Sequence, residues 1–136
     1  MTNRELISAA MKAREKSYCP YSNFAVGAAL LTKGGNIITG CNIENAAFSP
    51  TNCAERTAFF KAVSEGITEF DRIAIVGGSV DGPIENFCYP CGVCRQVMME
   101  FCDPDSFTII SAISEDNYRE FTLKDLLPEG FGPDIL

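Results

Sequence analysis

The sequence predicts an α/β protein, a three-layer α/β/α sandwich built on one mixed β-sheet. Short, nearly continuous apolar runs alternate with longer amphipathic segments, the pattern of strands interleaved with helices. The first two runs are separated by Lys33-Gly34-Gly35-Asn36, a hairpin turn, whereas the later ones are separated by helical segments. One sheet should therefore contain both antiparallel and parallel neighbours, with helices covering both of its faces.

Each element has its own reason. Over residues 4–17, Leu6, Ile7, Ala10, Met11 and Ala13 leave the charged residues on another face, so a surface helix is expected. Tyr18-Cys19-Pro20-Tyr21-Ser22 breaks it. Residues 24–32 (FAVGAALLT) form a buried strand, and 37–41 pair back on it after the turn. An irregular polar stretch, 42–52, leads to a helix over about 53–64, ended by Gly66. Residues 72–77 (RIAIVG) are a second buried strand, followed by a Gly- and Pro-rich loop over 78–90. A helix over 92–101 stops at Asp103-Pro104. Residues 107–113 give another strand, 118–122 a short one, and 123–127 a closing helical turn before Pro128.

The chain has 136 residues, which fits a single domain spanning 1–136. Its 46% apolar and 21% charged content is that of a soluble globular protein. The N-terminal segment lacks the apolar core and cleavage site of a secretory signal, so a cytoplasmic location is expected. No run approaches the length needed to span a bilayer. A net charge of −7, from 18 acidic and 11 basic residues, argues against nucleic acid and strongly anionic substrates. A neutral small molecule suits it best. Seven cysteines, an odd number, do not suggest a disulfide framework in a reducing compartment. Histidine is absent, so any metal site must use thiolates and carboxylates, and no Ser–His or Cys–His catalysis is possible.

Two segments concentrate the chemistry: Cys53-Ala54-Glu55-Arg56 and Pro90-Cys91-Gly92-Val93-Cys94. Each lies at the expected start of a helix. Cys91 and Cys94, three apart, converge on one side of a first turn, and Cys53 supplies a third sulfur from the other helix. Three thiolates leave one position of tetrahedral Zn²⁺ open for water, the mark of a catalytic site. The positive ends of two helices favour the thiolate forms, and Arg56 can reach the ligand sulfurs as a donor. Glu55 is then placed to exchange protons with water beside the metal. A glutamate in a first helical turn also has an ordinary reading, as a favourable partner of the helix dipole.

A glutamate with a proline-cysteine-x-x-cysteine motif is a known signature of zinc deaminases. The chain resembles the small homotetrameric cytidine deaminases along nearly its whole length, with Cys53 where many zinc deaminases have histidine. Four motifs occur in that family's order and spacing: residues 24–30 (FAVGAAL), 42–46 (NIENA), 53–58 (CAERTA) and 90–96 (PCGVCRQ). The resemblance implies one Zn²⁺ per subunit on Cys53, Cys91 and Cys94, with Glu55 as the proton shuttle. It implies that Asn42 and Glu44 hold the ribose hydroxyl, that Phe24 packs near the nucleoside, and that the Ala54 amide binds the pyrimidine carbonyl. The reaction implied is hydrolysis at C4 of cytidine or deoxycytidine in pyrimidine salvage. Glu55 would protonate N3 and then the departing amino group.

Alternation in an extended segment puts Asn42 and Glu44 on one face, as joint recognition requires. Phe48 stands where close relatives often have tyrosine, so a hydroxyl near the sugar's 5′ end is missing. Phe131 is the candidate for a phenylalanine supplied across a subunit boundary. Residue chemistry weighs rival readings against this one. Cys88 could join Cys53, Cys91 and Cys94 in a closed structural zinc site, leaving Glu55 idle. The substrate could be a modified cytosine compound such as blasticidin S, or a nucleotide. Nucleic-acid editing, found in the wider superfamily, lacks a basic groove here. Cys19, Cys41 and Cys102 are expected to be core thiols.

Overall fold

A computed structural model describes residues 1–136. Helix α1 spans Asn3–Arg14 and is opened by a capping box, in which Thr2 and Glu5 satisfy each other's backbone amides. Strands β1 (Phe24–Thr32) and β2 (Ile37–Cys41) form the expected hairpin, with Gly35 at φ 91 in its turn. Helix α2 (Ala54–Ser64), strand β3 (Phe70–Ser79) and helix α3 (Gly92–Phe101) follow. Strands β4 (Thr108–Ser114) and β5 (Asn117–Thr122), then the short α4 (Leu123–Leu126), complete the regular structure. A 3-10 turn at Pro133–Ile135, not foreseen in the sequence, closes the tail.

The sheet runs β2-β1-β3-β4-β5. Its β3–β4 pair is parallel and the other three pairs are antiparallel, so the sheet is mixed, as expected. Alternation along the strands sorts the core into two layers. Ala29, Leu31, Ala74, Val76, Ile110 and Ala112 face α1, meeting Leu6, Ile7 and Ala10. Ala28, Leu30, Ile73, Ile75 and Ile109 face α2, α3 and α4. The largest differences from the expected boundaries lie in α1 and β3, the latter starting at Phe70. Helix α1 stops at Arg14, whose side chain turns to bond the carbonyls of Ala25 and Ser79. Strand β3 extends to Ser79, because Gly78 and Ser79 still pair with Ala25 and Phe24 of β1.

Two features place α2, the helix that opens on Cys53. Phe59 is fully buried, with its ring centroid 4.9 Å from Phe70 and 6.1 Å from Phe107. Burying such a ring contributes about 3 kcal/mol and fixes the helix's rotation. Ala54, Ala58 and Ala62 then face the sheet, and the first turn rests directly on β2 at Gly40. A Cβ at Gly40 would lie 2.3 Å from the Ala54 carbonyl oxygen and 2.6 Å from the Ala58 nitrogen. Both obstacles are backbone, so a side chain there displaces the helix. Gly40→Ala is therefore expected to cost about 1–3 kcal/mol or more. Urea denaturation checks it, and zinc content should fall too, because the displaced turn begins at Cys53.

Candidate metal and catalytic site

Cys53 and Cys91 are the N-cap residues of α2 and α3, both in extended backbone conformation. Each sulfur therefore sits at the positive end of a helix, where amides of the first turn lack intrahelical partners. Cys91 Sγ accepts from the Cys94 amide at 3.4 Å and so caps its own helix. The three sulfurs of Cys53, Cys91 and Cys94 lie within 4.8 Å of one another. Cys53 to Cys91 is 3.8 Å, and Cys91 to Cys94 is 3.5 Å. Thiolates at about 2.3 Å from a tetrahedral zinc lie about 3.8 Å apart. The two separations made by Cys91 already stand close to that spacing.

The electrostatics fit the same group. The Cys53 thiol is held at about 5, first by a hydrogen bond from the Cys94 thiol and, against burial, by Arg56. Cys94 is raised by giving that bond. Arg56 Nη2 donates to Cys53 Sγ at 3.3 Å, and its Nε is buried without a partner. A cation with a spare donor thus faces the sulfurs, where three thiolates on one Zn²⁺ would leave an excess negative charge.

Glu55 is buried, at 4% exposure, in the first turn of α2. Burial pushes its carboxyl from 4.5 to about 7, opposed by a bond from its own backbone amide. A carboxyl near neutrality can both accept and return a proton at physiological pH. Cys88 is not in the sulfur cluster. Its sulfur packs against Gly77, where a Cβ would come within 2.9 Å of it, and burial drives its thiol up to about 12. The closed four-cysteine arrangement thus lacks its fourth ligand.

Asn42 and Glu44 flank Ile43, which bridges to both Tyr18 and Asn52, so this segment is extended as expected. Both side chains reach towards the start of β1 and the turn before it. Asn42 Oδ1 accepts from the Val26 amide, and its Nδ2 donates to the Phe24 carbonyl. Glu44 accepts from the Tyr21 and Ser22 amides and from the Ser22 hydroxyl, at 2.9, 3.1 and 2.5 Å. The Ser22 hydroxyl bond is the main reason its carboxyl is lowered. An ionised carboxylate offers about four acceptor positions, so one more hydroxyl can still be received. Phe24 is partly exposed, its ring near Gly77.

Phe48 and Phe131 are 69% and 58% exposed, and Phe48 lines one hollow with Tyr21, Ser22, Glu44 and Thr51. Phe48 touches Tyr21 edge-on at 6.0 Å, and the Phe131 carbonyl accepts from Gln96. Three supporting residues escaped the sequence reading. Ser22 secures Glu44, and Gly77 admits Cys88 and Phe24 together. Arg95 donates to the Pro90 and Leu126 carbonyls. Only Arg95 had a local signal, its place directly after the Cys-x-x-Cys pair.

The family profile described as the cytidine and deoxycytidylate deaminase zinc-binding region matches residues 1–110. A cytidine deaminase of Sporosarcina psychrophila is 48% identical over 136 residues, covering 100% of this chain and 96% of that protein. The crystal structure of a cytidine deaminase from Burkholderia pseudomallei superposes with a TM-score of 0.84 at 48% identity, covering 96% of this chain and 100% of that one. A cytidine deaminase structure from Mycobacterium tuberculosis superposes at 0.81 with 36% identity, over 97% and 98% of the two chains. Likeness of that extent, in sequence and in fold, makes the chain a member of the cytidine and deoxycytidylate deaminase family, whose zinc the three sulfurs are spaced to hold.

Proposed function

We propose that this chain hydrolyses cytidine and deoxycytidine to uridine and deoxyuridine with release of ammonia, as a step of pyrimidine salvage. The observation that supports it most directly is the buried Glu55 beside three sulfurs that lie within 4.8 Å of one another. Zinc, when bound by Cys53, Cys91 and Cys94, supplies the Lewis acidity that makes water nucleophilic at neutral pH. The Glu55 carboxylate takes the proton from that water, hands it to N3 of the cytosine ring, and later moves one to the departing amino group. Arg56 keeps its guanidinium on Cys53 Sγ and offsets the thiolate charge. The Ala54 amide, in the first turn of α2, donates to the pyrimidine carbonyl.

Substrate orientation falls to Asn42 and Glu44, which hold the ribose hydroxyl while remaining anchored to the segment before and within β1. Phe24 packs near the nucleoside. Phe48 and Phe131 reach a neighbouring subunit's site in a homotetramer, which accounts for two large rings exposed on one chain. The net charge of −7 supports a neutral nucleoside over a nucleotide or nucleic acid. No helix is long and apolar enough to cross a membrane, and we place the enzyme in the cytoplasm. The test is ultraviolet absorbance of cytidine incubated with zinc-analysed protein, with cytosine and cytidine monophosphate in parallel. Conversion of the nucleoside alone is expected. Failure with one zinc per chain would redirect the assignment to modified cytosine nucleosides.

A further inference from the structure

The connection between β3 and α3 has no helix or strand of its own, yet it delivers Cys91 to the site. A segment of that kind wanders unless something ties it. Its last stretch, residues 87–89, is tied to β4 and β5. In the register of those strands Ser111 lies opposite Arg119, and Ile109 opposite Phe121. These four side chains share one sheet face, the one covered by α2 and α3.

Each residue of 87–89 meets that face. The Arg119 guanidinium lies over the Phe87 ring, 4.0 Å from its centroid. The fully buried Ser111 hydroxyl donates to the Cys88 carbonyl at 2.7 Å. Arg119 Nη1 donates to the Tyr89 hydroxyl at 2.9 Å, and the Tyr89 ring stands edge-on to Phe121 at 5.7 Å. One residue later Arg95 Nε holds the Pro90 carbonyl at 2.7 Å. Every residue from 87 to 90 is thus fixed immediately before the first ligand of α3.

We propose that Ser111 and Arg119 are positioning residues for the metal. They clamp the strap over residues 87–89 onto the sheet and so hold Cys91 and Cys94 at ligand spacing from Cys53. This rests on the reading of those cysteines as zinc ligands. Neither Ser111 nor Arg119 touches a sulfur; both act through the backbone that carries one. A tetrahedral site needs its ligands held to within about 0.5 Å, which a connection without regular structure does not secure unless it is tied down.

The test is the rate at which zinc leaves the loaded, full-length chain to excess chromogenic chelator. Arg119→Ala is expected to lose zinc about tenfold faster, the scale on which supporting residues act at metal sites. Ser111→Ala behaves alike, and Arg119→Lys, which keeps a cation over Phe87, recovers part of the effect. Tyr89→Phe removes only a hydroxyl and leaves folding intact. Its smaller acceleration disappears on the Arg119→Ala background, since the two share one bond. Glu120→Ala is the control: it breaks a contact to Asn3 from the opposite sheet face and should leave the rate unchanged.

Equal rates in wild type, Arg119→Ala and Tyr89→Phe overturn the proposal. So does an equal acceleration in Glu120→Ala, which would mark general loosening. Cytidine turnover by the wild type is read separately. A zinc-loaded but inactive wild type defeats the deaminase reading alone, and a wild type that binds no zinc defeats both.

Discussion

Glu55→Gln is expected to keep one zinc per chain and to lose about 10²–10⁴-fold in turnover, the usual contribution of a positioned acid–base group. The amide matches the carboxylate in shape, so the helix start and the sulfurs stay in place, but it cannot shuttle a proton. Zinc analysis beside a cytidine assay checks both halves. Retained turnover would remove Glu55 from its assigned role. The same substitution has a second signature in the zinc-free protein. Burial raises the folded-state carboxyl to about 7, so the folded chain holds this proton more tightly than the unfolded one. The resulting stability is fully present below pH 4.5 and is lost as the pH rises through about 7. That loss is about 3 kcal/mol, at ~1.4 kcal/mol for each pH step between the two values. Urea melts of wild type should show the decline relative to the Glu55→Gln variant, and parallel profiles would contradict it.

Cys91→Ala should abolish both metal and activity. It removes a ligand and also the cap of α3, since Cys91 Sγ accepts from the Cys94 amide. Loss of a cap alone costs about 1 kcal/mol. The zinc-free variant should therefore melt below zinc-free wild type, with early amide exchange at the start of α3. Cys88→Ala is the matched comparison, because its sulfur lies against Gly77 outside the cluster. It is expected to keep zinc. A variant at Cys91 that stays loaded and active would exclude that ligand, and zinc loss from Cys88→Ala would restore the closed four-cysteine site.

The parts of this molecule visible in its sequence are those encoded locally. The hairpin follows from Gly34-Gly35, and the ligand pair on α3 from a three-residue spacing at a helix start. The joint orientation of Asn42 and Glu44 follows from alternation. What escaped was long-range. Gly78 and Ser79 read as loop because glycine is a poor strand former, yet pairing with Ala25 and Phe24 holds them in β3. Helix α1 ends short of its amphipathic pattern because Arg14 is drawn to β1 and β3. The bonds of Ser111 and Arg119 to residues 87–89 join segments with no shared motif. The partner of Glu44 was equally hidden, since nothing in Tyr21-Ser22 announces that its amides will face a carboxylate.

Phe48 adopts φ 62, a left-handed backbone that suits glycine or asparagine and is unfavourable for a bulky side chain. Its ring is also exposed, so the isolated chain bears a backbone strain of about 1–3 kcal/mol with little burial to offset it. Phe48→Asn should accordingly raise the melting temperature of a dilute, dissociated chain. In the proposed tetramer the balance reverses, because covering the ring recovers about 2 kcal/mol at each subunit. Selection for a robust protomer and selection for a durable assembly would then pull this one position in opposite directions, and a dilution series comparing the two proteins would show which has prevailed.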